Sequence, residues 1–105
     1  METLKFEYRG GRPCNPAQAS ALAGVVGSGN LEILVEQEPL NGACAVEVVT
    51  AAVGFGAIWQ AVLDDFFARH PLADVRISIN DVGATPAVVS LRLDQAVNAF
   101  LGGTA

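Results

Sequence analysis

A serine stands between two glycines in the run Gly27-Ser28-Gly29-Asn30. Glycine on both sides strips steric cover from the hydroxyl, so a modifying enzyme could close around Ser28. Acidic Glu32 and Glu36 follow in the next segment. On local physics alone such a serine is ordinarily a turn residue, and both readings stay open at this point. The remaining reactive side chains do not assemble into a catalytic set. The single histidine, His70, stands between Arg69 and Pro71, the pattern of a helix end, where a cation suits the dipole and the ring faces solvent. Cys14 and Cys44 match neither a zinc spacing nor a disulfide framework. Asp64 and Asp65 are neighbours in a helical stretch and diverge, so they form no carboxylate pair. Lys5 is the sole lysine and falls on the exposed face of a strand. There is no phosphate loop, dinucleotide fingerprint, or Ser-His-Asp set. These residues predict no catalytic residue and no metal ligand.

The elements that must position Ser28 follow from periodicity. Leu4, Phe6 and Tyr8 alternate with Lys5, Glu7 and Arg9, which predicts a half-buried strand. Residues 10–20 are expected as loop, because two prolines and two glycines oppose a ladder. Strands are expected over 21–26 and 31–36, joined by a hairpin at 27–30 whose residues tolerate positive φ. Val46 and Val48 against Glu47 predict a strand over 44–50, and Val75, Ile77 and Ile79 another over 75–80. Between them Phe55, Ile58, Trp59, Val62, Phe66 and Phe67 recur at helical spacing, predicting a helix to Arg69 with that stripe in the core. Asn80 to Pro86 reads as a turn in which Asp81 makes a local bond and Thr85 caps a second helix with Pro86 at its first position. Val89, Leu93, Val97, Phe100 and Leu101 form that helix's apolar face, although Leu91 and Leu93 leave a strand open. The result is a single α+β domain over 1–105. It is a two-layer sandwich with an antiparallel or mixed sheet of four or five strands, two helices on one face, and a frayed tail at 102–105.

Composition narrows the function classes. The 105 residues are 51 % hydrophobic and only 16 % charged, which excludes intrinsic disorder. A net charge of -5 lacks the cationic footprint that nucleic acid or an anionic membrane surface requires. The uncharged run over 48–63 is too short and polar to cross a bilayer. The N-terminus reads as a strand rather than an export signal, and free thiols suit the cytoplasm. So little charge leaves apolar surface for a partner to cover, as in a subunit of a complex.

Four segments, taken together, carry a family resemblance. They are Met1 to Glu7, Val26-Gly27-Ser28-Gly29 running on to Glu36, the Trp59 helix, and Ile79-Asn80-Asp81-Val82-Gly83-Ala84-Thr85-Pro86 running on to Gln95. In combination they resemble the acyl carrier (delta) subunit of malonate decarboxylase, nearly end to end. More distantly the chain is similar to the citrate lyase carrier subunit. The resemblance implies that Ser28 bears a covalent 2'-(5''-phosphoribosyl)-3'-dephospho-CoA group ending in a thiol. It implies exchange of acetyl for malonyl on that thiol, with decarboxylation returning acetyl. The partners it implies are the acyltransferase and decarboxylase subunits, a holo-carrier synthase and a malonyl transferase. The chain itself would be a non-catalytic carrier. The loop after Glu36 differs from the family pattern, as does Val53, which stands where a polar residue often opens the helix. From a different class, a non-covalent α+β ligand-binding or oligomerisation module suits the same composition. A self-sufficient enzyme lacks the acid–base constellation it would need.

Overall fold

Strict apolar alternation gives the strands one inward face, and the computed structural model, which describes residues 1–16, 20–23 and 31–102, shows how that face is filled. β1 (Glu2–Tyr8), β3 (Ser20–Ala23), β4 (Leu31–Gln37), β5 (Cys44–Thr50) and β7 (Val75–Asp81) form one sheet in the order β1-β5-β7-β4-β3. The β5–β7 pair is parallel and the other pairs are antiparallel. Parallel neighbours need a long crossover, supplied by α1 (Gly56–Arg69). The sheet is followed by α2 (Pro86–Leu101). The α+β sandwich expected from periodicity is therefore present, with a mixed sheet of five strands.

Register turns the alternation into a core. Leu4, Val48, Ile79 and Ile33 are successive partners across the sheet, as are Phe6, Val46, Ile77 and Val35. These rows pack with Trp59, Leu63 and Phe66 of α1 and with Val89, Leu93, Ala96, Val97 and Phe100 of α2 in one cluster. Several of these side chains are wholly buried, each stabilising the fold by about 1.5–3 kcal/mol relative to exposure. The opposite face carries Lys5, Glu47 and Arg76, which are at least partly exposed.

Five details differ from the sequence reading. Arg12–Pro13 (β2) is a short strand inside the expected loop, paired in parallel with Leu72–Ala73 (β6). Pro13 is tolerated because the pairing is only two residues long, and the Arg12 amide donates to the Pro71 carbonyl at 2.8 Å. Gly11 makes this approach possible, since a Cβ there would lie 2.6 Å from the Leu72 carbonyl oxygen. β3 begins at Ser20, inside the same expected loop; the remainder of the 21–26 strand expectation, like the 27–30 hairpin and the tail beyond Gly102, lies outside the described residues.

On α1 the core stripe is rotated from the expected one. Phe55 precedes the helix as its N-cap and, like Ile58, is exposed, while Leu63 is wholly buried. On α2 Leu91 and Leu101 are exposed and Ala96 is buried, so the segment is helical and not a strand. His70 is half-buried rather than on the surface. Its ring lies 5.3 Å from that of Phe66 and its Nε2 is 3.1 Å from Asp94 Oδ1. Lys5 is exposed as expected, with its Nζ 3.8 Å from Glu47.

Candidate functional site

Ser28 lies outside the described residues, so the site is built from the described chain that leads to it. The chain resumes at Leu31, the first residue of β4, directly opposite Asp81 at the end of β7. Asp81 in turn pairs with Thr50 at the end of β5, and Thr50 with Glu2 at the start of β1. One row thus defines an end of the sheet, and both helices begin just beyond it.

Side-chain chemistry holds this end together. Thr50 and Asp81 are buried, and the Thr50 hydroxyl donates to Asp81 Oδ2 at 2.7 Å. The same hydroxyl oxygen accepts from the Ala52 amide at 3.1 Å. The other oxygen of Asp81 accepts from the Ala84 amide at 2.8 Å, closing the turn. That turn passes through Gly83 at φ +103°, a conformation L side chains rarely adopt. Thr85 then caps α2, its hydroxyl accepting from the Val88 amide at 3.4 Å, with Pro86 at the first turn. The expected roles of Asp81 and Thr85 are those found. Thr50 was not singled out by sequence, where a threonine closing a strand looks like any other β-branched residue. The N-terminus of α1 has no side-chain cap, which accords with Val53 and Phe55 standing where a polar residue is usual.

Between the two helix starts lies a pocket of about 210 Å³. Ile58, Trp59 and Val62 of α1 face Ala84, Pro86 and Val89, and Asp81 contributes to the wall. The lining is almost entirely carbon. Both oxygens of its one carboxylate are already engaged by Thr50 and Ala84. Such a pocket takes a small neutral, apolar group.

Elsewhere the titratable groups serve structure. Asp64 accepts from the Tyr8 hydroxyl at 2.8 Å and from Gln60 at 2.7 Å, while Asp65 accepts from Arg69 at 3.0 Å, so the two carboxylates diverge. Burial, then the bond to Asp64, pushes the Tyr8 hydroxyl well above its ordinary value. Burial pushes the Cys44 thiol up to about 12 and raises that of Cys14. Neither is a thiolate nucleophile at neutral pH. Asp74, at φ 58°, accepts from the amides of Leu40 and Gly42 at 2.9 Å each. The Gly42 and then the Leu40 amide hold its carboxyl below the usual range. Among the described residues no cluster of His, Cys, Asp and Glu could hold a metal ion, and no helix is long and apolar enough to cross a membrane.

The chain is similar to known proteins along its length. The family model of the malonate decarboxylase delta subunit (MdcD) matches residues 18–100. The malonate decarboxylase acyl carrier protein of Xanthomonas euvesicatoria pv. vesicatoria is 66 % identical over 105 residues, covering 100 % of both chains. That of Burkholderia cepacia is 62 % identical over 96 residues, 91 % of this chain and 87 % of the relative. A chain in the crystal structure of a Pseudomonas malonate decarboxylase hetero-tetramer in complex with malonate superposes with a TM-score of 0.74. It is 42 % identical, and the match covers 91 % of this chain and 95 % of that one.

Proposed function

The chain belongs to the malonate decarboxylase delta-subunit family of acyl carriers, and from that premise we propose that Ser28 is its point of loading, through a phosphodiester to phosphoribosyl-dephospho-CoA. The observation that carries this reading is Gly27-Ser28-Gly29 within a relationship that spans the whole chain. When bound, the group supplies a thiol for acetyl and malonyl thioesters, whose carbonyl stabilises the carbanion left by CO2 loss where a free carboxylate cannot. The residues at the Asp81 end of the sheet suit such a group. β4, the described strand nearest Ser28 in sequence, begins there, and the adjoining pocket is lined mainly by apolar side chains.

This chain's own part is to hold and present. The Thr50–Asp81 bond and the Ala84 amide fix the end of the sheet from which β4 is reached. A carrier anchored there brings its cargo to partner sites at high effective concentration, and the reaction itself is left to the partners. The partners we assign are the acyltransferase and decarboxylase subunits, with a holo-carrier synthase and a malonyl transferase for loading. The site of action is the cytoplasm. Reconstitution tests the reading. The loaded chain mixed with the other malonate decarboxylase subunits is expected to release CO2 from malonate, and the Ser28→Ala chain is not. A chain that restored citrate cleavage with citrate lyase subunits, and not malonate decarboxylation, would assign it to the other pathway.

A further inference from the structure

We propose that the apolar pocket between the starts of α1 and α2 is the berth of the acetylated end of the arm on Ser28, and that it excludes the malonyl form. This rests on the reading of Ser28 as the loaded residue. Position is the first support. Asp81 lines the pocket and pairs with Leu31, and Ser28 lies three positions before Leu31, a span of at most about 11 Å. An arm long enough to reach partner active sites folds back over that distance.

Chemistry is the second. The pocket is lined mainly by apolar side chains, and its one acidic residue, Asp81, has both carboxylate oxygens hydrogen-bonded. An acetyl thioester is small, neutral and largely apolar. A malonyl thioester ends in a carboxylate, which would lose its hydration and meet the charge of Asp81. Size agrees. The acetyl-thioethyl end has six heavy atoms, roughly 180 Å³ at about 30 Å³ per water-sized group, against a pocket of about 210 Å³.

The third support is the pocket's surroundings. Val53, Phe55, Ile58 and Val82 are each between 46 and 70 % exposed around this end of the sheet, a patch that bound apolar groups would cover. The seated acetyl arm is kept from water. The arm leaves the pocket for the partner that exchanges acetyl for malonyl, and the malonyl form does not return to it. The pocket thereby sorts the two cargo states by charge.

The test uses the full-length chain, loaded enzymatically, with the arm on Ser28 first verified by intact mass. The acetyl thioester is then cleaved with hydroxylamine and its rate compared with acetyl-CoA. We expect cleavage about tenfold slower on the carrier, as for an arm seated nine-tenths of the time. Malonyl carrier and malonyl-CoA are expected to react alike. Trp59, the only tryptophan and part of the lining, reports independently. Its emission is expected to change between the free-thiol and acetyl forms and not between the free-thiol and malonyl forms. Ala52→Leu, which fills the pocket, is expected to restore the acetyl-CoA rate, while Ala87→Leu, on the exposed side of α2, leaves protection intact. Cleavage at the acetyl-CoA rate in the unmutated chain, or equal protection of malonyl, overturns the berth and leaves Ser28 as the loaded residue. A chain that gains no mass at Ser28 overturns both. Protection that appears only when partner subunits are added would assign the patch to them instead.

Discussion

Replacing Thr50 with valine keeps the shape of the side chain and removes a hydroxyl that serves two partners. The bond it donates to Asp81 is 2.7 Å long and buried, and hydrogen bonds to charged groups contribute about 1.5–3 kcal/mol. The Ala52 amide also loses its acceptor at 3.1 Å, a smaller cost because that group is only part-buried. Together the loss should be about 2–3 kcal/mol. For a domain near this length each kcal/mol moves the melting midpoint by about 4–8 °C, so a fall of about 10–20 °C is expected. Thr50→Ser keeps the hydroxyl and deletes only a methyl, and should cost about 1 kcal/mol. Urea and thermal unfolding followed by circular dichroism read both variants. If Thr50→Val costs less than about 0.5 kcal/mol, or no more than Thr50→Ser, the pair does not hold this end of the sheet.

Other expectations follow from the same contacts. Gly11→Ala would place a Cβ 2.6 Å from the Leu72 carbonyl oxygen, so β2 must shift. A cost of about 1–3 kcal/mol is expected, with faster hydrogen exchange at the Arg12 amide, and unchanged exchange would refute the close approach. Cys44, with its thiol pushed up to about 12 by burial, should react with iodoacetamide at pH 8 roughly three orders of magnitude more slowly than a free thiol. Because its folded pKa is raised, its contribution to stability is full below about pH 8.5 and is lost as the pH rises toward 12. Asp74 has the opposite sign: its contribution is full above about pH 4 and is lost as the pH falls through its lowered folded value. The difference in urea midpoint between the unmutated chain and Asp74→Asn should therefore narrow as the pH falls below about 4, and a gap that did not narrow in acid would contradict the assignment.

The five-stranded sheet was legible because its longer strands alternate strictly, and a one-residue slip would turn every apolar side chain outward. Leu4, Val46, Ile77 and Ile33 all face the helices as their spacing demands. The short β2–β6 pair was not legible, since two residues carry no period and the pairing depends on how closely Gly11 approaches Leu72. Nor was the phase of α1. An apolar stripe six residues wide in sequence was split by the position of the helix start, leaving Phe55 and Ile58 outside and drawing Leu63 in. Phe55 and Ile58, left outside the core, line the apolar pocket, so the part of α1 that periodicity misplaced is the part that borders it. Ser28 came from a motif and a family resemblance, because a hydroxyl flanked by glycines carries no physical mark that separates a loaded serine from a turn.

Intact mass is the measurement that tests the carrier claim most directly. The chain should be made with and without its holo-carrier synthase and the prosthetic-group precursor, alongside Ser28→Ala. A gain equal to phosphoribosyl-dephospho-CoA, present only with the synthase and abolished in Ser28→Ala, is the predicted result. An unchanged mass with an active synthase, or the same gain on Ser28→Ala, would contradict it.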